Sequence, residues 1–174
     1  MIRTLKAEEI SCRVNQINEK GLTLLLYKDA RVDMDILDET FGSMNWKKEY
    51  SRDNKNCTVS IYDKEKKEWV SKEDTGVESN SEAEKGLASD SFKRACVNWG
   101  IGRELYSAPF IYIPSDKTNI VTGKNGKATT FDKFYVEAIK YDDNREIVGL
   151  AIKNQLNKRV YLYKKEGTKD EDNK

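Results

Sequence analysis

The stretch SDSFKRACVNWGIGR, residues 89–103, decides the architecture. Together with Ala88, its apolar residues Phe92, Ala95, Cys96 and Trp99 recur at helical spacing and form one stripe. At about 100° per residue, the adjacent cations Lys93 and Arg94 fall outside that stripe. Gly100-Ile101-Gly102 then breaks the helix, and Arg103 follows. Such a helix packs its aromatic side on a sheet and keeps its cationic side for a partner. Three readings compete for the cations: a solvated face, a nucleotide-phosphate loop, or a grip on a nucleic-acid backbone.

The sheet lies just upstream. MNWKKEYS (44–51), CTVSIY (57–62) and KEWVSKEDTG (67–76) read as three strands. Cys57, Val59 and Ile61 alternate onto one face, and DKEKK (63–67) makes an exposed hairpin tip. Ser81 with Glu84 has the spacing of a capping box opening the helix. The order is therefore strand, strand, strand, helix.

Further out, Ile10, Val14 and Ile17 fall at i, i+4 and i+7, so residues 6–18 are expected to be a short amphipathic helix ended by Gly21. LTLLLY (22–27) reads as a buried strand. Asp29 caps a second helix whose stripe is Ala30, Met34, Leu37 and Phe41, and Gly42 stops it. Arg31 stands in that helix's first turn, where the dipole disfavours a cation, unless Asp35 four residues on pairs with it. Residues 115–130 have loop composition and are expected to be mobile. FYVEAIKY and EIVGLAIKN form a hairpin around DDNR, and RVYLY adds a strand. The fold class is α+β: an antiparallel sheet packed on a long helix in a β-β-β-α core, with N-terminal helices and a C-terminal β-hairpin. A single domain over residues 1–163 precedes a charged tail, 164–174, expected to be disordered.

Composition narrows function. With 174 residues the chain can bury a core, and 37% hydrophobic against 35% charged residues describes a polar surface. No apolar run approaches a membrane span and the N-terminus lacks a signal core, so a cytoplasmic protein without membrane contact is expected. The chain has no histidine, and Cys12, Cys57 and Cys96 are far apart, which argues against a zinc site or a histidine-based triad. Net charge is only +1, but charge is uneven. Asp29 to Glu39 holds five acids and one base; Lys85 to Arg103 holds four bases (Lys85, Lys93, Arg94, Arg103) and one acid.

The phosphate-loop reading is weak. Gly100-Ile101-Gly102 lacks a third glycine and follows a helix, and GKNGK (123–127) has neither Walker spacing nor a Ser or Thr after Lys127. Asp74, Glu78, Glu82 and Asp90 are the acids a metal-dependent nuclease would need, but no spacing unites two of them on one ion. The cations are stronger beside Arg31 and the aromatics Trp46, Tyr50, Trp69, Trp99 and Tyr106. Cations neutralise phosphates and rings stack bases. For Trp99, on the buried stripe, core packing is the preferred role.

The blocks AEEISCRV, YKDARVDMDILDETFGSMNW, EDTGVES and EKGLASDSFKRACVNWGIGRELY occur in that order. Over about residues 7–113 the chain resembles the single-strand-annealing recombination proteins of the Rad-fifty-two type, and KDARVDMDILDETFG is similar to their bacterial or phage branch (DdrA-like and Sak-like members). The resemblance implies a β-β-β-α core, a side-by-side ring or open helical homo-oligomer, and single-stranded DNA in an outer basic groove. Pairing would need neither ATP nor another cofactor. It further implies an inner groove of Lys93, Arg94 and Arg31, and a second contact by a hairpin lysine among Lys64, Lys66 and Lys67. Arg103 would lie near the groove or serve a subunit contact, and Lys85 belongs to the same basic cluster. A single-stranded-DNA-binding protein is a further expected partner. One departure stands out: the eukaryotic members carry an aromatic residue after the FG, where this chain has Ser43 and Met44. A metal-dependent nuclease and a self-assembling interaction module are the alternatives.

Overall fold

The computed structural model describes residues 1–77 and 83–166, with only the backbone of 83–85. Ser81 and Glu84 of the expected capping box, the Lys85 side chain, and the tail from residue 167 lie outside the described residues. In chain order the strands are β1 (Ser11–Asn18), β2 (Gly21–Tyr27), β3 (Trp46–Ser51), β4 (Asn56–Asp63), β5 (Glu68–Thr75), β6 (Ile111–Pro114), β7 (Val121–Thr122), β8 (Ala128–Thr129), β9 (Phe134–Tyr141), β10 (Ile147–Asn154) and β11 (Arg159–Lys164). The helices are α1 (Ala30–Phe41) and α2 (Ala83–Trp99). Among the described residues, no helix is long and apolar enough to cross a membrane. The chain forms two compact units: Met1–Thr4 with Asp29–Arg103, and Leu5–Lys28 with the chain from Glu104 onward.

In the first unit, β3, β4 and β5 form an antiparallel sheet with β4 in the middle, followed by α2 in the order expected. Cys57, Val59 and Ile61 on β4 are buried, as are Phe92, Ala95 and Cys96 on α2. Trp99 Nε1 donates to the Val59 carbonyl at 3.1 Å, which ties the end of α2 to the central strand. Gly76, just after β5, is required by close approach: a Cβ there would lie 2.7 Å from the Ser91 backbone nitrogen and 2.9 Å from the Leu87 carbonyl oxygen. At the far end of α2, Gly100 and Gly102 take φ of +98° and +69°, which lets the chain leave the helix tightly.

α1 begins and ends where expected. The Asp29 side chain accepts from the Arg31 backbone N–H at 2.8 Å, and Gly42 leaves the helix with φ +85°. Its seam is rotated from the expected stripe. Asp33, Ile36 and Leu37 are buried, whereas Ala30, Met34 and Phe41 are half-buried. Apolar residues occupy more than one side of this helix, so periodicity alone admitted two seams. Trp46 docks the following strand: its Nε1 donates to Asp38 Oδ1 at 2.6 Å and its ring stacks on Phe92 at 6.3 Å.

The second unit is a six-stranded antiparallel sheet ordered β11-β10-β9-β1-β2-β6. Its two edges approach each other, for Tyr161 Oη on β11 donates to the Phe110 carbonyl beside β6 at 3.1 Å. Here the expected N-terminal helix is wrong. Residues 7–9 form one 3-10 turn and residues 11–18 are strand β1, so α1 is the only helix in the N-terminal part. The register of β1 on β2 shifts between Val14 and Gln16. That bulge adds a residue between Val14 and Ile17 and turns a period of two into a false helical spacing. The expected C-terminal hairpin is β9–β10, and with β11 it extends the same sheet rather than standing apart. Residues 115–130 hold a 3-10 turn at Ser115–Lys117 and the small hairpin β7–β8.

A buried carboxylate holds Leu5 to this sheet. Glu104 is 3% exposed; it accepts from the Leu5 N–H at 2.7 Å and from Arg145 at 3.1 Å. Tyr141 Oη donates to the Leu5 carbonyl at 3.0 Å, and burial, then Glu104, push its phenol above the ordinary range. Glu104→Ala leaves the Leu5 N–H without its acceptor and removes a buried carboxylate from Arg145, so it should cost about 3 kcal/mol. Glu104→Gln, which keeps an acceptor, should cost less; urea unfolding compares them.

Burial pushes the Cys57 thiol up to about 11 and the Tyr50 phenol up to about 12, with Cys57 a further cause for Tyr50. Both groups stay protonated in the native state after their unfolded counterparts ionise. Stability should therefore hold up to about pH 9 and fall as pH rises towards 11. Chemical denaturation at pH 8 and pH 10.5 checks the sign, and Cys57→Ala should flatten the slope.

Candidate nucleic-acid interface

Lys93 and Arg94 are adjacent on α2 and therefore about 100° apart around it. With Phe92, Ala95 and Cys96 sealed against the sheet, Lys93 is half-buried on one flank and Arg94 is exposed. Arg94 leans towards β5, where its Nε lies 3.3 Å from Asp74 Oδ1. Asn98, one turn on, donates to Asp74 Oδ2 at 3.3 Å and to the Glu73 carbonyl at 3.1 Å. Lys93 has no ion pair among the described residues.

Arg31 is exposed in the first turn of α1, the helix that packs against α2. The i, i+4 pairing with Asp35 does not form, and the Arg31 guanidinium has no partner among the described residues. Arg31, Lys93 and Arg94 thus belong to one compact unit. Arg103 is used differently. Its guanidinium donates to the Val97 carbonyl at 2.9 Å and the Asn98 carbonyl at 3.2 Å, closing the C-terminal end of α2 where the dipole favours a cation.

Lys64, Lys66 and Lys67 are exposed at the β4–β5 turn, and Lys66 lies 4.0 Å from Asp63. Lys67 takes φ +58° there. Asp74, beside Arg94, is seven residues along β5 from Lys67, on the order of 20 Å at strand rise. The hairpin lysines and the helix cations therefore form two separate basic groups.

Three further lysines escaped the sequence reading. Lys48 Nζ stands 4.3 Å above the Phe92 ring, Lys72 Nζ 4.5 Å above Trp99, and Lys47 Nζ 5.2 Å above Trp69. No pattern within one element marks these contacts, since Phe92 and Trp99 come from α2 and Trp69 comes from β5. Trp99 is half-buried with its indole N–H bonded to the sheet, in keeping with the core role read for it. The nuclease carboxylates are engaged otherwise: Asp74 as above, and Asp90 accepting from the Val77 N–H at 2.9 Å. Glu78 and Glu82 lie outside the described residues. Among the described residues, no three acidic or sulfur side chains gather as a metal site.

Residues 1–120 match the family model described as Rad52/22 family double-strand break repair protein. The chain belongs to the Rad52/22 family. Single-strand annealing in DNA repair and recombination, with binding to single-stranded DNA, comes with that membership. No curated protein and no solved structure matches the chain. The match ends before β7, so β7 to β11 lie beyond it.

Were Arg94 to meet a phosphate, Asp74, which already pairs with it, would compete for the guanidinium. A partly exposed pair of this kind is worth about 0–1 kcal/mol. Asp74→Asn should therefore tighten binding of an oligothymidylate by about two- to fivefold, read by fluorescence anisotropy at fixed salt.

Proposed function

We propose that this Rad52/22 family chain holds single-stranded DNA by its sugar–phosphate chain on α2 and α1 and anneals it to a complement without ATP. The observation that carries the reading is the division of α2. One side is sealed by Phe92, Ala95 and Cys96, and Lys93 and Arg94 stand on the rest of its surface with Arg31 on the neighbouring helix. A grip on phosphate and sugar leaves base edges available to a complementary strand. Lys64, Lys66 and Lys67 would hold a second segment, and Lys85 is a further candidate from the same basic stretch of the sequence. Arg103, by closing α2, would keep Lys93 and Arg94 in place.

Independence from ATP is supported by the glycines. Gly100 and Gly102 serve the helix exit, and Gly123 and Gly126 serve the β7–β8 turn, where the Gly126 N–H donates to the Gly123 carbonyl at 2.9 Å. Neither set opens an α-helix, and Gly102 leads only into the short 3-10 turn Arg103–Ser107. Identical subunits side by side, as a ring or open helix, would repeat the grip, so that many weak contacts share the cost of ordering the strand. The motif KDARVDMDILDETFG supports the bacterial or phage branch, acting in the cytoplasm beside a single-stranded-DNA-binding protein.

Lys93→Ala with Arg94→Ala should abolish annealing of complementary oligonucleotides while leaving the circular dichroism spectrum unchanged. Because two phosphates would then go without a cation, the slope of log K against log salt should shrink by about 1.4. Normal annealing by the folded double variant would end this reading. Labelled strands incubated in magnesium should stay intact, whereas a nuclease would shorten them.

A further inference from the structure

The outward face of the six-stranded sheet carries an aromatic slot outside the helix cations. Register pairing sets Tyr27 on β2, Ser11 on β1, Tyr135 on β9, Lys153 on β10 and Arg159 on β11 side by side in one row. Directly opposed residues of antiparallel strands point to the same side. The alternate residues Phe134, Ile152 and Val160 are buried, so the row faces outward. Tyr27 and Tyr135 are 42% and 47% exposed. Among the described residues, neither ring meets another ring and neither hydroxyl has a hydrogen bond.

The spacing is what gives this row a use. Two strand intervals separate Tyr27 from Tyr135, about 10 Å. A flat ring in contact with an aromatic face on each side needs about 7 Å, twice the ~3.5 Å contact distance, so the two rings close on it by leaning together by about 3 Å from their backbone spacing. Ser11, between them, is too short to fill the gap. The β1–β9 ladder contains the single pair Ser11–Tyr135, so the strands part on either side of it. The parting opens a cavity of about 810 Å³ that reaches Ser11, Tyr27, Tyr135, Lys133 and Lys153.

Charge identifies the guest. Lys153 adjoins Tyr135 in the row and Lys133 precedes it by two residues, and neither cation has a salt bridge among the described residues. Arg159 is held by Glu137 at 2.6 Å. The acids at the cavity are Glu8 and Asp132, and Asp132 already accepts from the Thr118 hydroxyl, the Asn119 N–H and the Gln155 amide. A flat ring attached to an anion suits two rings beside two lysines that no salt bridge holds.

We propose that Tyr27 and Tyr135 sandwich one base of a single-stranded nucleic acid over Ser11, with Lys153 and Lys133 on the flanking phosphates. Tyr135, Lys133 and Lys153 lie beyond the residues matched by the family, so family membership does not imply this slot. It is also unlike the helix grip, which reads phosphate and leaves bases free. A pinned base gives the bound strand a fixed register against the protein.

The test measures anisotropy of the full chain with a labelled oligothymidylate and with an abasic strand of equal phosphate count. Tyr135→Ala and the slot-filling Ser11→Leu should each weaken oligothymidylate binding about tenfold, the scale of removing one base-stacking ring, and leave the abasic strand unaffected. Tyr135→Phe should bind as the parent does. The Lys93→Ala/Arg94→Ala variant should instead weaken both strands alike, so failure of the helix grip and failure of the slot read out separately. Wild-type binding of oligothymidylate by Tyr135→Ala, or equal loss on both strands, overturns the slot. So does a change in oligomeric state of Tyr135→Ala by light scattering, which would give the rings to a contact between copies.

Discussion

The seal between α2 and the β3–β4–β5 sheet is the constraint on which the first unit depends. Phe92, Ala95 and Cys96 go to zero or near-zero exposure against Cys57 and Val59, and the Trp99 indole is bonded to the strand beneath it. Burial of that face fixes the rotation of the helix about its axis, and rotation is what decides where Lys93 and Arg94 can reach. The small residues Ala95 and Cys96 let the helix come close, and Gly76 lets the chain cross it. A helix free to roll would present the same cations to no defined partner.

The cations are not equivalent once the helix is fixed. Arg94 is partly satisfied by Asp74, Lys93 and Arg31 are not paired within the described chain, and Arg103 is spent on the carbonyls at the end of α2. A row of basic residues in a sequence thus divides into cations left wholly or partly unpaired within the described chain and a cap for the protein's own helix. The lysines at Phe92, Trp99 and Trp69 show a third use, in which the ammonium itself stands over the face of a ring.

The second unit is organised by backbone pairing rather than by a helix. Its sheet brings the edges β6 and β11 together at Tyr161, and the buried Glu104 holds the Leu5 amide. Where the pairing of β1 with β9 shrinks to one residue pair, the surface gains both a cavity and a spaced pair of tyrosines. Continuous pairing would close that space.

Local signals were enough for α1, whose Asp29 cap and Gly42 stop act within a few residues, and for the hairpins at residues 63–67 and 142–145, whose turns need only their own residues. They also placed Lys93 and Arg94 off the buried stripe, because helix geometry fixes that angle. The N-terminal strand was misread because one bulge inserted a residue and its apolar spacing then matched a helix. The pairing of Asp74 with Arg94, the closure of α2 by Arg103, and the row from Tyr27 to Arg159 join residues that have no neighbourhood in sequence. Periodicity is a property of one element and survives in the chain. Register between distant strands and the choice of partner for each charge arise only when the elements meet, and only the tertiary structure could decide them.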